Sequence, residues 1–229
     1  MKAALVTGGS SGIGLAIARA LREDGYDLTL ASRRLEKVET AAAELGAAAV
    51  AADVQREEEC ERLVDAHRRR FGRLDVLVNS AGVGVGGAIA DLPVKHFDLQ
   101  IGVNLRGLFV VTKLCIPMLR ESRGQVINLA SIAGTLPTPG LATYGAAKAA
   151  VIALTRSLNA ELSDAGVRAT ALCPAYVDTP MTAWTRLPGE EMIQPEDCAE
   201  LVRALLRLSP FARVPQIVVE RVGAEGQPG

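Results

Sequence analysis

Short runs of apolar residues alternate with amphipathic segments along almost the whole chain. Strand candidates fall at residues 3–7, 27–32, 47–52, 74–79, 124–130, 167–173 and 216–220, with helical periodicity at 13–23, 35–45, 55–70, 94–121, 142–164 and 196–207. Because the strand candidates are continuously apolar, we expect them to be buried on both faces, as in a parallel sheet covered by helices. Right-handed crossovers then predict an α/β fold, a doubly wound parallel sheet of about seven strands with helices on both faces. One domain is expected over 1–222, with a flexible tail at 223–229.

Charge and composition exclude several classes of function. The 229 residues include 25 basic and 26 acidic side chains, a net charge of −1 that favours neither nucleic acid nor an anionic membrane as partner. No secretory signal is visible, and no apolar stretch reaches the roughly 18 residues of a membrane span. The four cysteines are scattered and no metal-ligand spacing occurs, so we expect reduced buried thiols, no metal and a cytoplasmic protein. His67 and His96 lie on predicted helices, where structural roles are expected.

A glycine-rich loop follows the first strand candidate and opens the first helix. Glycine allows a tight turn, close approach of backbone N–H groups to a pyrophosphate, and close helix–strand packing. The helix N-terminus adds oriented N–H groups for the phosphates. An ordinary tight turn is the alternative, but the position in an α/β pattern favours a Rossmann-type dinucleotide site. The residues expected to hold the phosphates are Gly8, Ser10, Ser11, Gly12, Ile13 and Gly14.

The end of the second strand bears on cofactor choice. Proteins that select NAD usually place an acidic residue there, on the ribose 2′-hydroxyl. This chain has Ser32 followed by Arg33 and Arg34. A guanidinium can bind a 2′-phosphate bidentately, so NADP(H) is favoured over NAD(H). The alternative is that one or both arginines, Arg34 first, merely begin a solvated helix.

The next two strands also end in candidate cofactor contacts. Asp53, followed by Val54, can accept from the adenine amino group, cap the next helix, or do both. Asn79, Ala81 and Gly82 follow the fourth strand, where small residues allow close approach of the adenosine ribose. An ordinary strand-to-loop turn is the alternative for this second group.

A serine, a tyrosine and a lysine form the candidate catalytic set. Ser131 follows the fifth strand, and Tyr144 and Lys148 are four residues apart on the next predicted helix, on one face. An ammonium near a phenol favours the phenolate and lowers the phenol pKa, as acid–base catalysis at neutral pH requires. A tyrosine–lysine pair is common on helix surfaces, so the interpretation depends on the phosphate loop as well.

Taken together, these motifs resemble the short-chain dehydrogenase/reductase family over nearly the whole chain. The matching segments are TGGSSGIG at 7–14, Asp53-Val54, NSAG at 79–82, NLRG at 104–107, and the Ser131–Tyr144 interval leading into YGAAK. The resemblance implies that Tyr144 is the general acid–base and that Lys148 lowers its pKa and holds the nicotinamide ribose. It also implies that Ser131 orients the substrate and that Asn104 supports a proton-relay water; Asn104 alone would be interpreted as a structural polar residue.

The chain departs from the family pattern at two places. Ser80 replaces the second asparagine of the usual NNAG, and Ala175 replaces the glycine that normally follows Pro174. The resemblance still implies cofactor contacts from Pro174, Val177 and Thr179, a substrate lid at about 181–194 and a homodimer or homotetramer. Trp184 in that lid is either a substrate contact, which we favour, or a packing anchor.

The sequence thus predicts an NADP(H)-dependent enzyme that interconverts an alcohol with a ketone or aldehyde, a small-molecule substrate. An NADP(H)-binding sensor without turnover is the main alternative, against which the complete Ser131, Tyr144 and Lys148 set argues. An epimerase or dehydratase on the same scaffold is the third, disfavoured by chain length and glycine spacing.

Overall fold

A computed structural model describes residues 1–223; most of the predicted tail, 224–229, lies outside the described residues. Seven strands form one parallel sheet in the order β3-β2-β1-β4-β5-β6-β7, which confirms the predicted fold class. The strands are β1 (Ala3–Thr7), β2 (Asp27–Ser32), β3 (Ala48–Ala51), β4 (Val76–Asn79), β5 (Gln125–Leu129), β6 (Arg168–Pro174) and β7 (Gln216–Val219).

Helices connect the strands and cover both faces of the sheet. They are α1 (Gly12–Glu23), α2 (Leu35–Leu45), α3 (Glu57–Phe71), α4 (Val94–Ile101), α5 (Leu108–Ser122), α6 (Ala142–Glu161) and α7 (Pro195–Arg207). Two large clusters of buried residues and a smaller one that includes Val151 and Ile152 of α6 form the core. Val151, Leu154 and Leu158 of α6, with Leu162 directly after it, form an apolar stripe that packs into this core.

Charge placement fits the ends of two helices. The acidic residues 57–59 form the first turn of α3 and the basic residues 68–70 its last turn, where each sign opposes the partial charge of the helix end. In α7, a capping box between Gln194 and Asp197 and a proline in the first turn fix the start of the helix. The charged runs of α3 are therefore solvated and stabilise the helix itself.

The predicted helix 94–121 is interrupted. A π-helical turn (Gly102–Gly107) separates α4 from α5, a feature that apolar periodicity does not reveal. The helical segment Val94–Ser122 is long and apolar enough to cross a membrane by length and composition alone. Half of its most apolar window is buried inside the fold.

The histidines have different environments. His67 is fully buried, not at or near the surface, and its ring bonds the Thr29 hydroxyl at 2.8 Å and the Arg73 carbonyl at 3.0 Å. Burial lowers the pKa of His67 to about 4. His96 is half-buried on α4. All four cysteines are free and buried, as expected.

Candidate active site

A cavity of about 1030 Å³ runs along the carboxyl edge of the sheet, where ligands of doubly wound folds bind. Its two ends are chemically different: Arg33, Arg34 and Asp53 line one, and Ser131, Tyr144 and Lys148 line the other. Other expected site residues that line it are Gly8, Ser10, Ser11, Gly12, Ile13, Ser32, Val54, Ala81, Gly82, Pro174, Val177 and Thr179. Gly14, Asn79 and Asn104 are expected site residues that lie outside the lining.

The glycine loop brings two backbone segments together. Gly8 has a positive φ of 67°, and a Cβ there would lie 2.7 Å from the Ser80 carbonyl oxygen. A Cβ on Gly14 would overlap the Gly8 carbonyl group and lie 3.0 Å from Ser80 Oγ. Gly14 therefore allows the close helix–strand packing, whereas Gly8 and Gly12 line the space for a ligand.

At the end of β2, the two arginines differ in local role. Both are exposed and line the cavity, but Arg34 is the N-cap residue of α2, and the Ser32 hydroxyl donates to the Arg34 carbonyl oxygen at 3.2 Å. Nearby, Asp53 Oδ1 accepts from the backbone N–H of Gln55 at 3.0 Å. Asp53 thus holds the turn before α3, whose N-cap is Arg56, and keeps its place in the cavity wall.

Asn79 points into the core. Its amide nitrogen donates to Thr112 Oγ1 and Asn128 Oδ1, both at 2.9 Å, and Asn128 donates in turn to Thr155 Oγ1 at 2.9 Å. This buried chain ties β4 and β5 to α5 and α6. The Asn79 side chain therefore stabilises the strand ends that carry the site. Ala81 and Gly82, not Asn79, line the cavity.

Asn104 and Gln100 fix the loop that forms the cavity floor. Asn104, in the π-helical turn, accepts from the Val83 N–H and donates to the Val83 carbonyl, both at 2.8 Å. Fully buried Gln100 accepts from the Val85 N–H at 3.1 Å and donates to Thr143 Oγ1 at 2.7 Å, next to Tyr144 in sequence. Sequence reasoning missed Gln100, because a glutamine inside an amphipathic helix carries no motif.

Lys148 is the most buried member of the catalytic set. Only 4 % of it is exposed, and Nζ donates to the Leu129 carbonyl oxygen at 2.6 Å. The same Nζ lies 5.6 Å from the centre of the Tyr144 ring. A Cβ on Gly82 would lie 3.8 Å from Nζ and 3.4 Å from Asn104 Oδ1, so both polar groups flank this glycine. Ser131 Oγ accepts from the Ala133 N–H at 3.2 Å.

The pKa values of this set reflect burial. Burial lowers the pKa of Lys148 to about 8, and the neighbouring Cys173 acts in the opposite direction. Burial also raises the pKa of Tyr144, while the nearby Ser131 hydroxyl lowers it. The direction for Tyr144 is opposite to the lowering expected from Lys148, because the phenol loses water and the lysine bonds the Leu129 carbonyl.

The loop after β6 adapts to the missing glycine. The Ala175 N–H donates to the Val219 carbonyl at 2.8 Å. Arg123 is the only non-glycine residue within 1–223 with a positive φ, so Ala175 carries no left-handed backbone strain. Thr179 of this loop lies against the phosphate loop, its Cγ2 3.1 Å from where a Cβ of Gly12 would stand. The two loops thus flank the middle of the cavity.

The lid segment supplies apolar surface beside Tyr144. The Met181 sulfur and the Tyr144 ring lie 3.9 Å and 3.8 Å from the position of a Cβ on Gly84, so both face the same glycine. Trp184 is 65 % exposed and packs edge-on against Tyr176, with ring centres 6.3 Å apart. Met181, Tyr176 and Trp184 all line the cavity.

Comparisons with known proteins agree with this architecture. The family model described as short chain dehydrogenase matches residues 2–188. An uncharacterized oxidoreductase of Staphylococcus aureus (strain MRSA252) is 38 % identical over 225 residues, covering 96 % of this chain and 97 % of the relative.

Two solved structures are similar over nearly their full length. An alcohol dehydrogenase from the archaeon Thermococcus sibiricus, complexed with 5-hydroxy-NADP, has a TM-score of 0.90 at 34 % identity and covers 97 % of each chain. A 3-ketoacyl-(acyl-carrier-protein) reductase from Brucella melitensis, complexed with NADH, has a TM-score of 0.89 at 30 % identity and covers 96 % of each chain. The chain described here is an oxidoreductase of the short-chain dehydrogenase/reductase family.

Proposed function

We propose that this protein is an NADP(H)-dependent oxidoreductase that interconverts an alcohol and a ketone or aldehyde, with Tyr144 as general acid–base. The observation that carries the proposal is that one cavity joins the phosphate loop and Arg33 to Tyr144 and Lys148. Its volume, about 1030 Å³, is at the upper end of ordinary ligand sites and suits a dinucleotide with a small substrate.

The cavity residues fit such a cofactor from end to end. Gly8, Gly12 and the N-terminus of α1 would hold the diphosphate, and Asp53 and Gly82 would flank the adenosine. Lys148 would bind the nicotinamide ribose. A bound nicotinamide supplies the hydride exchanged with the substrate carbon and, when oxidised, a positive charge near the phenol.

Tyr144 moves the proton in this proposal. In carbonyl reduction its hydroxyl donates a proton to the carbonyl oxygen, and in alcohol oxidation the phenolate takes the proton back. Ser131 donates a hydrogen bond to the same substrate oxygen and holds it next to the phenol. Because burial raises the Tyr144 pKa and outweighs the lowering by Ser131, the resting tyrosine is protonated and ready to act as an acid.

The first experiment compares Tyr144→Phe with Tyr26→Phe, which removes a phenol hydroxyl from the core instead of the cavity. With NADPH and a panel of ketones and aldehydes, Tyr144→Phe is expected to lose about 10²-fold or more in kcat, because a general acid typically contributes that factor. NADPH affinity should be retained in both variants. Equal kcat in wild type and Tyr144→Phe would refute the proposed role; tight NADPH binding without turnover in wild type would favour a sensor.

Arg33 carries the proposed preference for NADP(H). A guanidinium lost from a charged hydrogen bond to the 2′-phosphate costs roughly 10- to 100-fold in affinity. Arg33→Asp should therefore weaken NADPH by about that factor and leave NADH binding nearly unchanged. Arg34→Asp serves as the comparison, because the N-cap position of Arg34 gives it a separate structural role. Equal losses for NADPH and NADH in Arg33→Asp would contradict the assignment.

We also propose a homodimer or homotetramer that works in the cytoplasm. Exposed aromatic side chains on the α4–α5 segment, Phe97 at 42 % and Phe109 at 48 %, support a surface for self-association. Light scattering of the purified protein tests the assembly, and a monomer at micromolar concentration would contradict it.

A further inference from the structure

The substrate end of the cavity contains an arginine that no motif explains. In the parallel pair β6–β7, Pro174 lies opposite Val219. Tyr176 follows the end of β6 by two residues and Arg221 follows the end of β7 by two residues, and both line the cavity. Arg221, Tyr176 and Trp184 therefore form its outer rim, here called the arginine rim.

Sheet order separates the arginine rim from the phosphate loop. Four strand spacings lie between β1 and β7, or roughly 19 Å at about 4.8 Å per strand. Two spacings, roughly 10 Å, lie between β7 and β5, whose end carries Ser131. Arg221 is thus too far from the loop after β1 to hold a diphosphate, and lies near the place where a substrate would extend away from Tyr144.

Among the residues that the structure describes, the lining offers Arg221 no competing anion at its end of the cavity. Asp53, at the opposite end, is the only carboxylate among the described lining residues. Asp178 belongs to the loop after β6 but lies against Gly189, outside the lining. No salt bridge formed within residues 1–223 includes Arg221.

The walls between Arg221 and Tyr144 are mainly apolar. Leu136, Leu141 and Met181 line this part of the cavity together with Trp184. Such walls favour a hydrocarbon body by removing it from water. A half-buried arginine at the rim favours a carboxylate, which its guanidinium can bind bidentately, and a single guanidinium balances a single negative charge.

We propose that Arg221 is a specificity-determining residue, and that the substrate is an oxo acid or hydroxy acid with an apolar body between its reacting carbon and its carboxylate. This proposal deepens the proposed oxidoreductase function and relies on it for the reacting carbon alone. Arg221 takes no part in proton or hydride transfer and acts by binding the remote carboxylate.

A binding experiment tests Arg221 without turnover. Trp184 is the only tryptophan of the chain and lies in the arginine rim, so its fluorescence reports ligands there. A medium-chain aliphatic carboxylate and the matching primary amide are titrated in the presence of saturating NADP⁺, which keeps the Arg33 end occupied. Wild type should bind the carboxylate roughly 10- to 100-fold more tightly than the amide.

Arg221→Gln should abolish that preference, and Arg221→Lys should restore part of it. The matched control is Arg62→Gln, which removes an exposed arginine of α3 outside the cavity. Absence of a fluorescence response to the carboxylate, equal affinity for the two ligands in wild type, or an unchanged preference in Arg221→Gln would each overturn the proposal.

A kinetic experiment separates this proposal from the proposed function. With an aliphatic oxo acid and its methyl ester, Arg221→Gln should raise KM for the acid roughly 10-fold or more and leave its kcat and both ester constants nearly unchanged. NADPH oxidation at equal rates with acid and ester in wild type would refute the carboxylate proposal and leave the oxidoreductase proposal standing. If wild type oxidised NADPH with neither of these substrates and with no member of the ketone and aldehyde panel, the oxidoreductase proposal would be refuted, and the titration would still decide the role of Arg221.

Discussion

Replacing Lys148 with methionine is expected to stabilise the fold while impairing the chemistry. Burial lowers the pKa of Lys148 from 10.5 to about 8. The amine is still charged at neutral pH, and burying this charge lowers the stability of the folded protein. At about 1.4 kcal/mol per pKa unit, that cost is about 3 kcal/mol relative to the neutral amine. Methionine has a similar length, carries no charge and fills the same space.

Part of this gain is offset by a lost hydrogen bond. Lys148 Nζ donates to the Leu129 carbonyl at 2.6 Å, and an unpaired buried carbonyl costs about 1 kcal/mol or more. The net expectation is a rise of about 2 kcal/mol in the free energy of unfolding at pH 7. For a chain of this size, that corresponds to about 4–8 °C in Tm.

The pH dependence identifies the cause. Because the folded pKa lies below the unfolded value, the unfolded chain binds more protons between about pH 8 and 10.5. The stability of wild type should therefore rise across this range relative to Lys148→Met, so that the advantage of the variant shrinks and disappears. Urea unfolding of both proteins from pH 7 to 10.5 measures the difference.

Exposed Lys37→Met is the control and should stay within about 0.5 kcal/mol of wild type. A destabilised Lys148→Met protein, or an advantage independent of pH, would refute the argument.

Three other residues give independent predictions. His67 has a folded pKa of about 4 against 6.5 in the unfolded chain, so wild type should lose up to about 3 kcal/mol of stability as the pH falls from 6.5 to 4. Urea unfolding should show a smaller loss for His67→Gln, and an equal loss would contradict this account. Gly14→Ala should lower the free energy of unfolding by about 1–3 kcal/mol, because the added methyl overlaps the Gly8 carbonyl. The stability control is Gly84→Ala, because a Cβ at Gly84 has no neighbour closer than 3.8 Å. Asn104→Ala leaves both backbone groups of Val83 without their partner, so hydrogen exchange at Val83 should accelerate along with a loss of about 2 kcal/mol or more. Unchanged exchange would show that Asn104 does not fix this loop.

The sequence by itself determined the strands, their parallel arrangement and the loops that carry the site. A strand that is apolar on both faces must be covered by helices on both faces. The alternation of such strands with helices along the chain therefore predicts a sheet between two helical layers. The glycine spacing after β1 and the interval between Tyr144 and Lys148 are local properties of the sequence. In a tight turn or a helix, such spacings fix which residues lie next to each other. Apart from the π-helical interruption of 94–121, the ends of the predicted elements differ from the observed ones by at most three residues, because the ends of helices and strands depend on pairing and capping.

Only the tertiary structure decided how the polar residues are used. Asn79 belongs to a motif that suggests cofactor contact, yet its amide is held in the core by Thr112 and Asn128, which lie far away in sequence. The direction of the Tyr144 pKa depends on how much water packing removes, a quantity that no spacing encodes. Arg221 reaches the cavity because the strand that it follows, β7, pairs with β6, and a side chain outside any motif acquires its neighbours only when distant strands pair.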